Sequence, residues 1–386
     1  MRAEFKPSVE KMVRAFNRAG RYAPGIRSPF SACPDDEEAR RLRDDLVAGY
    51  RGRVLEDVFC GREVACPSGT CYVIESESPM SLDGRDPDRA AAALLGDLTL
   101  VRGIGEATRR RLEERGCRTI IDLADHPLYC RDAARLLDSI AGGDTCELVE
   151  EIARRRRRSD PLLLEASRFH APEEFVFLDI ETLGLSSRPI ILIGLARVSG
   201  GSIAVRQYLS RSAEEEEAVL AAVLPDLEAE GTAFVTFNGR AFDVPYIRDR
   251  LACHGIPAYL AVPHFDVLHF ARRRWKDLLP SCRLDALETG VLGVARADDV
   301  PSRMVPEFYE TYRRTGNPGP LVPVVEHNRQ DIVSLARLFA LLRGDGGGGA
   351  APGRDRPGRG GGAENVALKS QGAEKILPPY RAKPER

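Results

Sequence analysis

Residues 175–181 read Phe-Val-Phe-Leu-Asp-Ile-Glu, a short apolar run that ends in two carboxylates. The apolar side chains are rich in the β-branched and aromatic types that favour strands, so the run predicts a buried strand. Because side chains alternate between the faces of a strand, Asp179 and Glu181 share a face with Phe175 and Phe177. Ionised acids beside a core need a compensating partner, usually a metal ion. The alternative is a strand that ends at the surface with two solvated acids.

The chain that follows alternates strands and helices, which is the pattern of an α/β domain. Gly200-Gly201 reads as a hairpin turn between two of the strands. Further strands are predicted at 190–198, 203–209 and 232–237, and helices at 214–228, 243–253, 266–277, 283–292 and 326–342.

Two further acids stand at conspicuous positions. Asp243 follows the Asn238-Gly239 turn at the end of a strand, where ligands of α/β folds gather, and is predicted to cap the next helix. Asp331 shares a helix face with three leucines that follow it, so it lies in an apolar stripe. His327 precedes it by one turn and lies on the same face.

In this order the motifs resemble the DEDD exonuclease superfamily and, within it, the YprB-type ribonuclease-H-like domain, over residues 171–343. The matching motifs are Asp179-Ile-Glu181, Phe237-Asn-Gly-Arg-Ala-Phe-Asp243 and His327-Asn-Arg-Gln-Asp331. The intervening Phe265-Asp-Val-Leu268 and Arg283-Leu-Asp-Ala-Leu-Glu288 also resemble that family. Each motif alone is weak, but the ordered set is specific. The resemblance implies a ribonuclease-H-like mixed sheet flanked by helices, with a metal site at one edge of the sheet.

The resemblance also implies a role for each motif residue. Asp179, Glu181, Asp243 and Asp331 would bind two Mg²⁺ or Mn²⁺ ions about 4 Å apart, which activate a water and stabilise the leaving oxygen. His327 would orient or deprotonate that water. Relatives with a catalytic His place it one residue further from the last Asp, so His327 stands at the spacing of relatives with Tyr; the alternative is a polar surface residue.

Asn238 and Asp266 are predicted to support the site without binding the metal. Asn238 would form the turn before Asp243. Asp266 would do the same or cap a helix.

A separate small all-α region is predicted within residues 91–160. Gly103-Ile-Gly105 reads as a tight turn that opens a helix ending near Arg115, and Thr119 is predicted to cap a second helix. These features resemble a helix-hairpin-helix module, in which free backbone N–H groups contact a nucleic-acid phosphate. The alternative is a hairpin used only for packing or protein contacts. The implied nucleic-acid-binding residues are Gly103, Gly105, Arg102, Arg109 and Arg110.

Two basic stretches each have two interpretations. Arg154–Arg158 is a solvated segment or a nucleic-acid contact. Arg272–Trp275 is a phosphate-binding and base-stacking surface, or an exposed basic helix face with Trp275 packed beneath it.

Composition sets the outer limits. A chain of 386 residues predicts two or more domains, and a net charge of −2 means that any nucleic-acid binding must use local patches. Nine scattered cysteines fit a reducing cytoplasm, and neither a signal peptide nor a membrane span is evident. Residues 1–90 are predicted to form an α+β segment of open role, in which Cys60, Cys66 and Cys71 would be thiols or a metal site. Residues 344–386 are rich in Gly and Pro and are predicted to be disordered.

Together these patterns predict a cytoplasmic, metal-dependent nuclease. By resemblance it would be a 3′–5′ exonuclease acting on single-stranded ends of DNA or RNA. The rival interpretations are a non-catalytic nucleic-acid-binding or scaffold protein on the same fold, and an interaction adaptor that works through its tail and arginine run.

Overall fold

The apolar run at residues 175–181 lies inside a seven-stranded mixed sheet. The computed structural model describes residues 34–294, 296 and 300–344, so the predicted disordered tail lies outside the described residues from position 345 onward. The strands are β1 (Gly61–Cys66), β2 (Gly69–Pro79), β3 (Phe175–Thr182), β4 (Ile190–Ser199), β5 (Ser202–Leu209), β6 (Ala233–Thr236) and β7 (His264–Asp266). Their order across the sheet is β1-β2-β5-β4-β3-β6-β7. Only the β3–β6 and β6–β7 pairs in this sheet are parallel.

Helices flank this sheet, which confirms the predicted α/β class. The helices of the described residues are α1 (Pro34–Gly49), α2 (Leu55–Val58), α3 (Pro87–Leu95), α4 (Glu106–Glu114), α5 (Cys130–Gly142), α6 (Thr145–Arg155), α7 (Pro161–Ala166), α8 (Glu216–Leu227), α9 (Asp243–Cys253), α10 (Val267–Trp275), α11 (Leu284–Leu287), α12 (Val305–Thr315) and α13 (Leu321–Gly344). A π-helical turn, Glu288–Leu292, continues α11.

The side chains of β3 alternate between two cores, as its sequence predicts. Phe175 and Phe177 pack into a core that includes the buried leucines of α13. Val176, Leu178 and Ile180 pack into a second core with α8 and α9. Burial on both faces explains why the strand is apolar throughout until its carboxyl end, where the two acids stand.

The N-terminal region contributes two strands to this same sheet. β2 pairs antiparallel with β5, with Val73 opposite Tyr208. β1 continues the sheet beyond it as an edge strand. The sheet therefore extends across the predicted boundary at residue 90. Cys71 points into the core from β2, and Cys66 lies 3.7 Å from the carbonyl oxygen of Ala218.

The helical region between residues 87 and 169 shares a core with β3 and α13. Leu98, Leu136 and Ile152 belong to the same buried cluster as Phe175. The predicted module is thus packed against the sheet rather than linked to it by a flexible segment.

The prediction of a second hairpin helix capped by Thr119 is wrong. The segment forms a single 3₁₀ turn, Ile121–Leu123. The Asp122 carboxylate accepts hydrogen bonds from the backbone N–H groups of Arg118 and Thr119, both at 2.8 Å. Pro127 follows closely, and a proline inside an α-helix would remove a backbone hydrogen bond and clash with the preceding turn.

Across the part of the chain that the structure describes, no helix has the length and apolar character needed to cross a membrane.

Candidate active site at the carboxyl edge of the sheet

Four acids from three parts of the chain meet at one edge of the sheet. β3 and β6 run parallel, so the end of β3, with Asp179 and Glu181, lies beside the segment that leaves β6 and leads to Asp243. α13 packs across β3 and contributes Asp331. The proximity is visible in the electrostatics: burial raises the pKa of Asp179 well above its usual value, and the charges of Asp331, Asp243 and Glu181 raise it further.

Asp243 is buried, with 5% of its surface exposed. Burial raises the pKa of its carboxyl group to about 7, although N–H groups, including that of Ile180, donate to it and oppose the shift. The predicted capping role is wrong, because Phe242 occupies the N-cap position and Asp243 is the first residue of α9. Its Oδ1 instead accepts a hydrogen bond from the Ile180 backbone N–H at 3.1 Å, which ties α9 to β3.

Asp179 is oriented by a polar chain that crosses three neighbouring strands. Asn328 of α13 donates from Nδ2 to Asp179 Oδ2 at 2.8 Å, and its Oδ1 accepts from Gln207 Nε2 at 2.8 Å. Gly194 of β4 lies between them, opposite Asp179 on one side and Gln207 on the other. A Cβ atom at Gly194 would lie 2.8 Å from Asn328 Cγ and closer still to its Oδ1. The missing side chain therefore makes the room through which Asn328 reaches Asp179.

The turn before Asp243 is held by Asp266. Asn238 adopts the left-handed conformation, with φ of 68°, and is itself exposed. Asp266 Oδ1 accepts hydrogen bonds from the backbone N–H groups of Asn238 at 2.8 Å and of Leu268 at 3.2 Å. Asp266 is thus both the cap of α10 and the anchor of the turn.

His327 and Asp331 of α13 contact an arginine that the motifs did not include. Arg296 donates from NH1 to His327 Nδ1 at 3.0 Å and from NH2 to Asp331 Oδ1. His327 Nε2 lies 3.6 Å from Asp331 Oδ2. Burial raises the pKa of Asp331, while His327 and Arg296 act to lower it.

The donor chemistry of this edge fits a hard divalent cation, because carboxylate oxygens are the ligands that Mg²⁺ and Mn²⁺ prefer. The side-chain arrangement does not yet form a coordination shell. In residues 34–294, 296 and 300–344, no three His, Cys, Asp or Glu side chains are placed together so as to hold a metal ion. Hydrogen bonds give the reason for three of the acids, because Asp179, Asp243 and Asp331 are each directed to a hydrogen-bond donor within the protein.

The glycine turn at residues 103–105 precedes α4 and is distant in sequence from this edge. The N-terminus of α4 has no side-chain cap. Gly103 has a φ of 86°, and Gly105 is the N-cap residue, to which no side chain contributes a hydrogen bond. Arg102 and Arg110 are exposed. The guanidinium of Arg109 is engaged by Glu106 and Glu113, both at 2.7 Å, so it is less available to a ligand.

The two basic stretches are each tied in part to the rest of the fold. Within the arginine run, Arg154 and Arg155 pair with Glu151, and Arg156 pairs with Asp97. Trp275 is buried in the core, so it is not free to stack on a base. The second interpretation of Arg272–Trp275, a basic face over a packed Trp, is therefore the observed one.

A small pocket between α6 and the strand end at β7 is lined by Arg158, Arg240, His264 and His269, among others. Arg158 comes from the arginine run, and Arg240 comes from the turn beside Asp243 and pairs with Glu150 at 2.8 Å. Burial and then the nearby arginines lower the pKa of His264 to about 3. The imidazole is therefore neutral in the folded protein, with Nε2 hydrogen-bonded to the Thr236 hydroxyl at 2.8 Å.

This neutral histidine predicts acid lability. The pKa of His264 is lower in the folded than in the unfolded state. The folded state therefore loses stability relative to the unfolded state as the pH falls from about 6.5 toward 3, because the unfolded imidazole binds a proton first. We expect the free energy of unfolding to decrease by roughly 3 kcal/mol between pH 7 and pH 4 from this group alone. Urea unfolding of wild type and His264→Gln at both pH values measures it. An equal pH dependence in the two proteins would contradict the assignment.

The sequence motifs missed four residues of the site. Asn328 and Glu288 stood inside matching motifs without a role, and Gln207 and Arg296 stood outside all of them. Gly194 carried a usable signal, since a lone glycine inside an apolar strand often marks a close approach of another group.

Comparison with known proteins agrees with this geometry. A family model of the RNase H superfamily matches residues 176–343. This segment is therefore similar to the RNase H superfamily. The uncharacterized protein YprB of Bacillus subtilis is 34% identical over 168 residues, a segment that covers 42% of this chain and 40% of YprB. The chain thus spans less than half the length of this relative, and the similarity lies in the part that contains the acid edge. The matched segment includes all four acids, His327 and Arg296.

Proposed function

We propose that this protein is a metal-dependent nuclease, a 3′–5′ exonuclease that hydrolyses phosphodiester bonds of DNA or RNA. The observation that carries the proposal is the convergence of Asp179, Glu181, Asp243 and Asp331 at one edge of the RNase H domain, where burial and mutual repulsion raise carboxyl pKa values. Such a cluster is unfavourable for a fold by itself and is typical of a functional site. The exonuclease polarity rests on the family resemblance.

The residues of this edge have two proposed roles, metal binding and the positioning of the metal ligands. The four carboxylates would hold two Mg²⁺ or Mn²⁺ ions, which when bound supply an activated water and stabilise charge on the leaving oxygen. Asn328 keeps the Asp179 carboxylate in one orientation. Asp266 fixes the turn that leads to Asp243. His327, beside Asp331, would orient the attacking water or accept its proton.

The test is cleavage of end-labelled single- and double-stranded DNA and RNA with Mn²⁺, Mg²⁺ or a chelator. The matched variant is Asp243→Asn, because the amide oxygen can still accept the hydrogen bond from Ile180 while the charge is lost. We expect stepwise shortening from the 3′ end by wild type and at least a hundredfold slower cleavage by the variant. Equal cleavage by the two proteins, or cleavage in chelator, would overturn the proposal.

We further propose that the turn at Gly103 and Gly105 docks the nucleic-acid backbone. The N–H groups at the start of α4 have no side-chain cap, and Arg102 and Arg110 are exposed near them. A helix N-terminus with adjacent positive charge suits a phosphate. The module would then hold the substrate while the acid edge cleaves it.

The double variant Arg102→Ala/Arg110→Ala should weaken nucleic-acid binding and reduce its salt dependence. Each lost phosphate contact should lower the slope of log K against log salt by about 0.7 for a single strand. Fluorescence anisotropy at several salt concentrations measures it. The control is Arg115→Ala/Arg118→Ala, which removes the same charge from exposed positions at and beyond the other end of α4. Equal losses in both variants would mean that the turn has no special role.

The second candidate function is nucleic-acid binding without catalysis. The ion pair between Arg296 and Asp331 favours it, because this contact satisfies one of the acids without a metal. Binding without cleavage of any substrate in the assay above would select this function.

A further inference from the structure

Arg296 lies at the acid edge as a built-in cation. Its side chain is 11% exposed. It donates from Nε to Glu288 Oε2 at 2.5 Å, from NH1 to His327 Nδ1 at 3.0 Å, and from NH2 to Asp331 Oδ1. One planar group thus joins a residue of the π-helical turn to two residues of α13.

Glu288 fixes the position of this guanidinium. It is fully buried and accepts hydrogen bonds from Ser334 Oγ at 2.6 Å and Gln330 Nε2 at 3.3 Å. A buried carboxylate with these contacts holds a cationic partner strongly, because losing the partner would leave an uncompensated charge in the interior. The placement of Arg296 is therefore anchored from the core side rather than from the surface.

The contact with Asp331 engages a carboxylate that the proposed metal site would use. Asp331 Oδ1 is engaged by Arg296, and Oδ2 lies 3.6 Å from His327 Nε2. Arginine has only donors, so His327 Nδ1 accepts in its hydrogen bond with Arg296. In this arrangement Arg296 occupies an oxygen of Asp331 and the Nδ1 atom of His327, so neither atom is available to a metal ion or a water.

We propose, on the basis of the nuclease function above, that Arg296 is the internal counter-cation of the acid site. It balances Asp331 in the absence of a divalent ion, would compete with that ion for the Asp331 carboxylate, and so sets the affinity of the site for metal. Glu288 keeps the guanidinium beside the site when Asp331 is released to the ion. Arg296 acts as a positioning residue, through Asp331 and His327.

The consequence is a measurable weakening of metal binding. If the acid is held by Arg296 in most molecules, the apparent dissociation constant rises by the inverse of the fraction that is free. The neutral variant Arg296→Gln should therefore bind Mn²⁺ at least tenfold more tightly than wild type. Arg296→Lys keeps the charge and should remain within a few-fold of wild type.

The experiment is calorimetric titration of the full chain with Mn²⁺ alone, in wild type, Arg296→Gln, Arg296→Lys and the control Arg329→Gln. Arg329 lies on α13, the helix that carries Asp331, and pairs with Glu326. Its substitution therefore removes the same charge without removing a contact of Asp331. Tighter binding by Arg296→Gln only is the expected result. Unchanged or weaker binding by Arg296→Gln, or equal tightening in the control, would overturn the proposal.

Two further outcomes have defined meanings. If Arg296→Gln is unfolded without metal, the proposal expects circular dichroism to show refolding on addition of Mn²⁺, and failure to refold would overturn it. If wild type binds Mn²⁺ and Arg296→Gln binds it more tightly, but no nucleic acid is cleaved, the nuclease function fails and the role of Arg296 stands. Absence of Mn²⁺ binding in both proteins would overturn both.

Discussion

Asp179→Asn is expected to abolish cleavage and, at the same time, to raise the melting temperature of the metal-free protein. Activity should decrease by at least about 10³-fold, equivalent to about 4 kcal/mol of transition-state stabilisation. Stability should increase because burial, then Asp331, Asp243 and Glu181, raise the pKa of Asp179, so its ionised form opposes folding near neutral pH. Asparagine keeps an oxygen that can accept the hydrogen bond from Asn328.

The pH dependence of this gain has a definite sign. A carboxyl group whose pKa is raised by folding costs nothing while it is protonated in both states, and it destabilises the fold as the pH rises above its ordinary value. The difference in melting temperature between Asp179→Asn and wild type should therefore be large at pH 7 and disappear below about pH 3.5. Melts followed by circular dichroism in chelator measure it.

Asp122→Asn is the matched control for stability. N–H groups of Thr119 and Arg118 lower the pKa of Asp122, so its ionised form stabilises the fold and the substitution should have the opposite effect at pH 7. It should leave cleavage unchanged. A metal-free Asp179→Asn protein that melts below wild type at pH 7 would show that the acids at this edge do not repel one another.

Gly194→Ala should be the most damaging substitution of a single methyl group in the sheet. The added Cβ would lie closer than van der Waals contact to Asn328 Oδ1 and to Ile332 Cδ1, both on α13. Neither side chain has room to retreat, since Asn328 and Ile332 are fully buried. The helix would have to move away from the sheet, and overpacking of this kind typically costs about 1–3 kcal/mol or more.

The same displacement should disable the site. Asn328 would lose its hydrogen bond to Asp179, and Asp331 would move with α13. We expect loss of activity well below the melting temperature, together with a lower midpoint of urea unfolding. Gly142→Ala is the control, because no atom lies within 4 Å of the added methyl group and alanine is favoured in a helix. Gly194→Ala with wild-type stability and activity would contradict the close packing of α13 on β4.

Several elements could be predicted from local patterns because local physics decides them. The alternation of Phe175 to Glu181 predicted both the strand and the common face of its two acids. The apolar stripe of α13 predicted that Asp331 faces inward, although the helix begins five residues earlier than its pattern suggested, at Leu321. The glycine pair at 200–201 predicted the hairpin between β4 and β5.

Other features depended on groups that meet only after folding. The pairing of β2 with β5 joins segments more than a hundred residues apart, and the sequence of neither strand indicates which strand it pairs with. The arginine run could be a solvated segment or a nucleic-acid contact by its sequence, and only the fold brings Arg156 to Asp97. Arg296 belongs to no motif, and in the fold it contacts both Glu288 and Asp331.

The sequence by itself determined the strand, the positions of the four acids and the α/β class, because side-chain periodicity and motif order are properties of neighbouring residues. The tertiary structure alone decided which donor each acid contacts: Asn328 across Gly194 for Asp179, the Ile180 N–H for Asp243, and Arg296 for Asp331. These contacts join distant segments, and their energies depend on burial and distance, which a linear pattern does not contain.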